Sequence, residues 1–189
     1  MSNLPSTEEI REAYDKVTYN ERLRKSIFST ANILIVVAAI AVLLAMLLLP
    51  VLRIYGSSMN TTLNKGELVL AVKHVDFETG DVVAFYYNNN ILVKRAIATS
   101  GQWVDMDEEG NVYVDQEMID EPYLKDKALG EPDIEFPYQV SDDRIFVLGD
   151  NRSVSVDSRN TSVGCVSSEH VVGKIVFRVW PLNRVGPVH

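Results

Sequence analysis

From Ile27 to Leu49 the chain carries no charged residue, and Ile33 to Leu49 is apolar without interruption. At ~1.5 Å per residue, a helix of roughly 20 such residues spans the hydrocarbon core of a bilayer. A cleaved export signal uses a shorter apolar region of about 7 to 15 residues with a small-residue exit, whereas this run ends in Leu47-Leu48-Leu49-Pro50. The run therefore predicts a single transmembrane helix over 26–50, with the lipid bilayer as its partner. Arg22, Arg24 and Lys25 crowd its first end, and only Arg53 stands close to its second. The positive-inside rule then places residues 1–25 in the cytoplasm and residues 51–189 outside the cell membrane. Residues 1–25 are polar, and Ser6 with Glu9 fits a capping box, so a loosely helical stub is expected there.

Charge is divided unevenly along the 189 residues. Through Leu49, Arg11, Lys16, Arg22, Arg24 and Lys25 balance Glu8, Glu9, Glu12, Asp15 and Glu21, so the whole net charge of −8 belongs to residues 50–189. A net-acidic domain without basic clusters gives no reason to expect nucleic acid. The single cysteine, Cys165, lies in the apolar run Val163-Gly164-Cys165-Val166 and predicts a buried, inert thiol. One cysteine with three scattered histidines, His74, His170 and His189, offers no metal-ligand spacing. No metal or cofactor is expected.

Beyond Pro50 the pattern changes to short alternating or apolar runs rich in Val, Ile, Tyr and Phe. These predict strands at Glu67 to Val72, Asp81 to Tyr87, Ile91 to Ala98, Val112 to Val114, Arg144 to Leu148 and Val171 to Val179. Asn88 to Asn90, between two of them, reads as a hairpin loop. Residues 103–142 are acidic and broken by Pro122, Pro132 and Pro137, which reads as an inserted cap whose carboxylates face water. The expected fold is mainly β: an antiparallel domain with a small inserted cap, preceded by one membrane helix.

Three separated stretches carry the candidate chemistry. Gly56-Ser57-Ser58-Met59-Asn60-Thr61-Thr62-Leu63 offers hydroxyls in a small-residue turn; alone, its default meaning is a loop. A serine hydroxyl is a poor nucleophile until a base takes its proton. With no plausible histidine partner, the remaining candidate is a lysine whose charge is disfavoured by burial. Lys94 lies in an apolar strand. Alternation puts Leu92, Lys94 and Ala96 on one face and Val93, Arg95 and Ile97 on the other. That pattern also fits an edge-strand lysine with its head in water. Gly149-Asp150-Asn151-Arg152, with Ser155, Asp157 and Arg159 at every second position, suits groups that orient an amine, and equally a structural ion-pair network.

Taken in order behind a membrane segment, these residues resemble the type I signal peptidases, membrane-bound Ser/Lys serine endopeptidases. The resemblance runs from Ile33 to Pro187. Ser58-Met59 with Thr62-Leu63, Gly80-Asp81-Val82-Val83, Val93-Lys94-Arg95, Gly149-Asp150-Asn151-Arg152 with Ser155 and Asp157-Ser158-Arg159, and Trp180-Pro181-Leu182 carry it. It implies a β-rich enzyme that cuts signal peptides from exported preproteins, with Ser58 as nucleophile and Lys94 as general base. It also implies Ser155 orienting the lysine and Asp157 with Arg159 as a supporting ion pair. The Ser58 N–H would serve the oxyanion, with Gly56 standing where some members carry a further hydroxyl. Shallow pockets selecting small residues before the cut would be lined by Ile54, Tyr55, Val82, Val83, Phe85, Leu92 and Val93. Since Ser58 follows Pro50 closely, the site is expected near the outer bilayer surface.

Two departures stand out: Thr61 where the family commonly has proline, and Ala98-Thr99-Ser100-Gly101-Gln102 in place of a Gly-x-Pro-Gly-Asp turn. Loss of the proline is expected to loosen the support under Ser58. With Gly56, these departures motivate a rival reading, a membrane-anchored peptide-binding protein that does not cut. A self-cleaving repressor is disfavoured by the membrane segment and the lack of a basic DNA-binding helix.

Overall fold

The computed structural model describes residues 7–73 and 76–189, so Ser6 of the expected capping box and His74 lie outside the described residues. The chain divides into two compact units, residues 1–47 and 48–189.

The described residues of the first unit form one helix, α1 (Thr7–Leu48), 42 residues long and ending one residue into the second unit. From Thr7 onward the expected polar stub and the apolar run are therefore one continuous helix. Its stretch Thr18–Ala45 is long and apolar enough to cross a membrane, and none of its most apolar window is buried in protein. The helix stops two residues before Pro50; the residue preceding a proline is driven out of the α region.

The second unit is antiparallel β throughout its ladders. In chain order it holds β1 (Val51–Arg53), β2 (Leu68–Val72), β3 (Val82–Tyr87), β4 (Asn90–Ala98), β5 (Trp103–Met106), β6 (Val112–Val114), β7 (Glu117–Met118), β8 (Tyr138–Gln139), β9 (Arg144–Leu148), β10 (Val166–Ser167), β11 (Val171–Trp180) and β12 (Gly186–Pro187). The large sheet runs β1-β2-β11-β3-β4-β9-β10, with β12 beside β11; the small sheet runs β7-β6-β5-β8. The six expected strands are present within two residues of their expected ends. Asn88 and Asn89 form the two-residue turn between β3 and β4, both at positive φ (43° and 62°), as a right-twisted hairpin requires.

The region 103–142, expected as an inserted cap, is built around strands. It holds the small sheet, whose Val104, Met106, Val112 and Val114 share one buried cluster with Ile97 and Ala98 of β4, Phe146 and Leu148 of β9, and Cys165. Only four residues long, with the pattern exposed-buried-exposed-buried from Trp103 to Met106 and Asp105 at an outward position, the strand was masked by the acidic residues around it. Burial pushes the Cys165 thiol upward, in keeping with an inert thiol.

Two features of the large sheet leave backbone edges open. Among the described residues β1 pairs only with β2, at the sheet's end. β4 pairs with β3 from Asn90 to Arg95, whereas β9 joins its other side only from Arg95 onward. Among the described residues the first half of β4 thus has one edge without a strand partner.

Candidate active site

Ser58 stands in the loop between β1 and β2. The loop is closed at its neck, where Ile54 N–H donates to Glu67 O (2.9 Å) and Gly66 N–H to Ile54 O (2.7 Å). Met59 and Leu63 sink into the core beneath it, 2% and 0% exposed. With its apolar neighbours buried, Ser58 is left half-buried on the wall of a groove, while Ser57 is exposed and outside that wall. Ser58 N–H meets no acceptor among the described residues.

β4 delivers Lys94 to a sheltered position, 3% exposed. Its Nζ donates to Ser155 Oγ at 2.9 Å. Among the described residues no salt bridge reaches it, and no hydrogen bond joins it to Ser58. Burial is the main cause that lowers its pKa from 10.5 to about 8; Asp157 and Asp150 pull upward and Arg159 pushes down. About one amine in ten is then neutral at pH 7, against roughly one in 2,500 for an ordinary lysine.

The loop after β9 brings the third group. A Cβ on Gly149 would lie 2.2 Å from Ser155 Oγ and 2.6 Å from Ser58 O. Only glycine allows the hydroxyl that holds the lysine and the backbone of Ser58 to flank the same point. Asn151 clips the two loops together: its N–H donates to Ser58 O (2.9 Å) and its Nδ2 to Ser57 O (3.3 Å). Asp157 accepts from Gly149 N–H at 2.9 Å and from Arg159 Nε at 2.8 Å. Arg159 in turn donates to Leu129 O (2.6 Å) and Arg152 O (2.8 Å). Asp157 and Arg159 are buried, so this pair braces the loop that presents Ser155.

A second buried network lies behind the first, which sequence reasoning did not assign. Arg95, 1% exposed, makes a two-pronged contact with Asp150 (2.9 and 2.7 Å), donates to Gly80 O (2.6 Å) and lies 3.7 Å from the centre of the Tyr123 ring. Thr62 Oγ1 donates to Asp150 Oδ2 at 2.5 Å. Glu121, expected in water as part of the cap, is 6% exposed and paired with Arg152, and also accepts from Tyr123 OH at 2.7 Å. An arginine in an apolar strand was the available signal, because a buried guanidinium demands a carboxylate. Which carboxylate answers it was not readable.

The groove, about 620 Å³, is lined by 51–56, Ser58, Met59 and 89–93. It runs between the open edges of β1 and β4. Of the residues expected to line it, Ile54, Tyr55, Leu92 and Val93 do so, together with Gly56. Val82, Val83 and Phe85 do not: at 2%, 0% and 1% exposure they are core residues. They sit on β3, both of whose faces are covered: Val82 packs in one buried cluster with Ile54 and Met59, Val83 and Phe85 in another with Ile145 and Val147. Gly56 has open space, a Cβ there meeting only Ser58 N at 4.0 Å.

Thr61 also differs from expectation. Its φ is 97°, a left-handed value rare for any β-branched residue. Its hydroxyl donates to Tyr123 O at 2.8 Å. Support for the loop is thus present in another form, one that a proline at this φ could not supply.

A family model described as "Signal peptidase, peptidase S26" matches residues 27–180. The chain is 32% identical to Signal peptidase I of Bacillus amyloliquefaciens over 173 residues, covering 86% of this chain and 92% of that one. It is 35% identical to Signal peptidase IB of Staphylococcus aureus over 151 residues, covering 69% and 78%. It is 33% identical to Thylakoidal processing peptidase 1 of Arabidopsis thaliana over 69% of this chain, which spans 42% of that longer protein.

Proposed function

We infer the reaction from one premise: this chain belongs to the signal peptidase family, peptidase S26. We propose that it is a membrane-anchored serine endopeptidase that removes N-terminal signal peptides from exported preproteins. Ser58 is its nucleophile and Lys94 its general base. The observation that carries this reading is a nearly solvent-free lysine with no carboxylate partner among the described residues. Its pKa is lowered to about 8, and it is tied by Ser155 to the loop that clips Ser58.

The preprotein lies extended in the groove, where the open edges of β1 and β4 pair with its backbone and shallow walls exclude bulky side chains before the cut. Neutral Lys94 takes the Ser58 proton as Oγ attacks the scissile carbonyl. Ser58 N–H, which meets no acceptor among the described residues, donates to the developing oxyanion. The Lys94 ammonium then gives its proton to the leaving amine, and the C–N bond breaks. Water, deprotonated by the same amine, hydrolyses the ester and regenerates Ser58 with the signal peptide's new carboxylate. Ser155 Oγ accepts from Lys94 Nζ and fixes its direction. Asp157 and Arg159 hold Ser155 in place.

Apolar helix α1, with the positive charges at 22–25 before its run, supports a single-pass anchor in the cell membrane with the N-terminus in the cytoplasm and the catalytic unit outside. The test uses the full-length protein in detergent with a preprotein carrying an Ala-x-Ala exit. Ser58→Ala and Lys94→Ala are each expected to abolish cleavage while circular dichroism stays that of the parent. A parent protein that binds but never cuts such substrates would favour the peptide-binding reading.

A further inference from the structure

The loop that carries Ser58 is held from two sides. On one side Asn151 N–H donates to Ser58 O and Thr62 Oγ1 to Asp150. On the other, Thr61, three residues after Ser58, keeps a φ of 97° with its hydroxyl on Tyr123 O. The acceptor is itself fixed. The Tyr123 ring lies against Arg95, its hydroxyl donates to Glu121, and Glu121 pairs with buried Arg152. Arg95 adjoins Lys94 in β4, and Arg152 belongs to the loop that carries Ser155. One short segment therefore touches all three stretches that the site draws on.

Resting on the function proposed above, we propose that segment Glu121–Tyr123 is a positioning support for the nucleophile loop, and that Thr61 acts through it to set where Ser58 lies. Neither Thr61 nor the segment lines the groove. A left-handed Thr61 is strained by itself, and the bond to Tyr123 O holds the loop in the conformation that turns Ser58 toward the groove while Met59 and Leu63 stay buried. A support of this kind controls the reacting geometry and leaves the groove walls unchanged, so its loss acts on kcat and spares KM. It is also incompatible with proline at 61, whose ring fixes φ near −65°.

The experiment is steady-state cleavage of an internally quenched peptide with an Ala-x-Ala exit by the full-length enzyme in detergent. Thr61→Val keeps the branched side chain and removes the hydroxyl; it is expected to lower kcat by ~10-fold or more with KM and the apparent pKa of the pH profile unchanged. Thr61→Ser restores the donor and is expected to recover most of kcat. Thr61→Pro is expected to lose ~100-fold in kcat, and Tyr123→Leu, which removes the ring from Arg95, to fall between. Thermal unfolding of each variant separates loss of position from loss of fold. Parental kcat in both Thr61→Val and Thr61→Pro would overturn the proposal, as would a change confined to KM. Should Ser58→Ala still cut, the assigned reaction fails instead, and the two failures are thereby distinguished.

Discussion

Lys94 and Arg95 are adjacent in one strand, both nearly sealed from water at 3% and 1% exposure, yet the two faces of β4 treat them oppositely. Arg95 meets a carboxylate on two prongs, a backbone carbonyl and an aromatic ring. Lys94 meets one hydroxyl. Arg95 is a cation fully compensated and serves to hold three loops together. Lys94 is a cation left under-compensated, and the missing compensation is what makes its proton available. A guanidinium that does not deprotonate suits the first role, and an amine whose pKa moves with burial suits the second.

Substitution by methionine should break this contrast most visibly. Arg95→Met leaves Asp150 buried and unpaired, and is expected to cost about 3–5 kcal/mol of stability, read as a lower denaturant midpoint. Lys94→Met removes a charge that burial disfavours by about 3 kcal/mol at pH 7, from the drop of 10.5 to about 8. It is expected to raise the midpoint while abolishing cleavage. Equal destabilisation by the two would contradict the division of roles.

The next effect is on pH. The lowered Lys94 pKa means that below pH 8 both folded and unfolded chains hold the proton, and the folded state bears the cost of the buried charge. Between about pH 8 and 10.5 the folded state has released it and the unfolded state has not, so this group adds stability as pH rises. Urea unfolding of parent and Lys94→Met should show this rise in the parent alone. Catalysis should climb with an apparent pKa of about 8; a profile still rising as an ordinary lysine titrates would refute the role of burial.

The smallest expected effect lies at Gly56. Its missing Cβ faces open space beside Ser58 N, so Gly56→Ser fits without displacing a neighbour and sets a hydroxyl next to the proposed oxyanion donor. Such a donor is worth up to about 3 kcal/mol where it is fully aligned. From a flexible serine, a gain of several-fold in kcat with KM unchanged is expected. A fall in kcat would mean that the small residue itself is required there.

Much of this was legible along the chain because it depends on local pattern. The apolar run identifies a span whatever surrounds it. Short alternating or apolar runs found β2, β3, β4, β6, β9 and β11, and alternation within β4 separated Lys94 from Arg95. The unseen strands are two to four residues long, too short for a period to register, and β5 and β7 carry exposed acids, Asp105 and Glu117. Ser58, Lys94, Ser155, Asp157 and Arg159 were picked out by motif; the fold sets Lys94 of β4 against Ser155 and clips the loop of Ser155 to that of Ser58.

What the sequence determined by itself, then, was the membrane-length helix, the β character of the chain beyond Pro50 and the residue types able to act on a peptide bond, since each arises from chemistry close along the chain. Only the tertiary structure decided that Arg95 pairs with Asp150, that Glu121 is buried against Arg152, that Val82, Val83 and Phe85 are core while Val51 and Ile91 line the groove, and that Thr61 turns left-handed against Tyr123. These are contacts between residues far apart in the chain or choices between two faces of one strand. Their energies depend on which partner the fold brings near, and no local pattern encodes that.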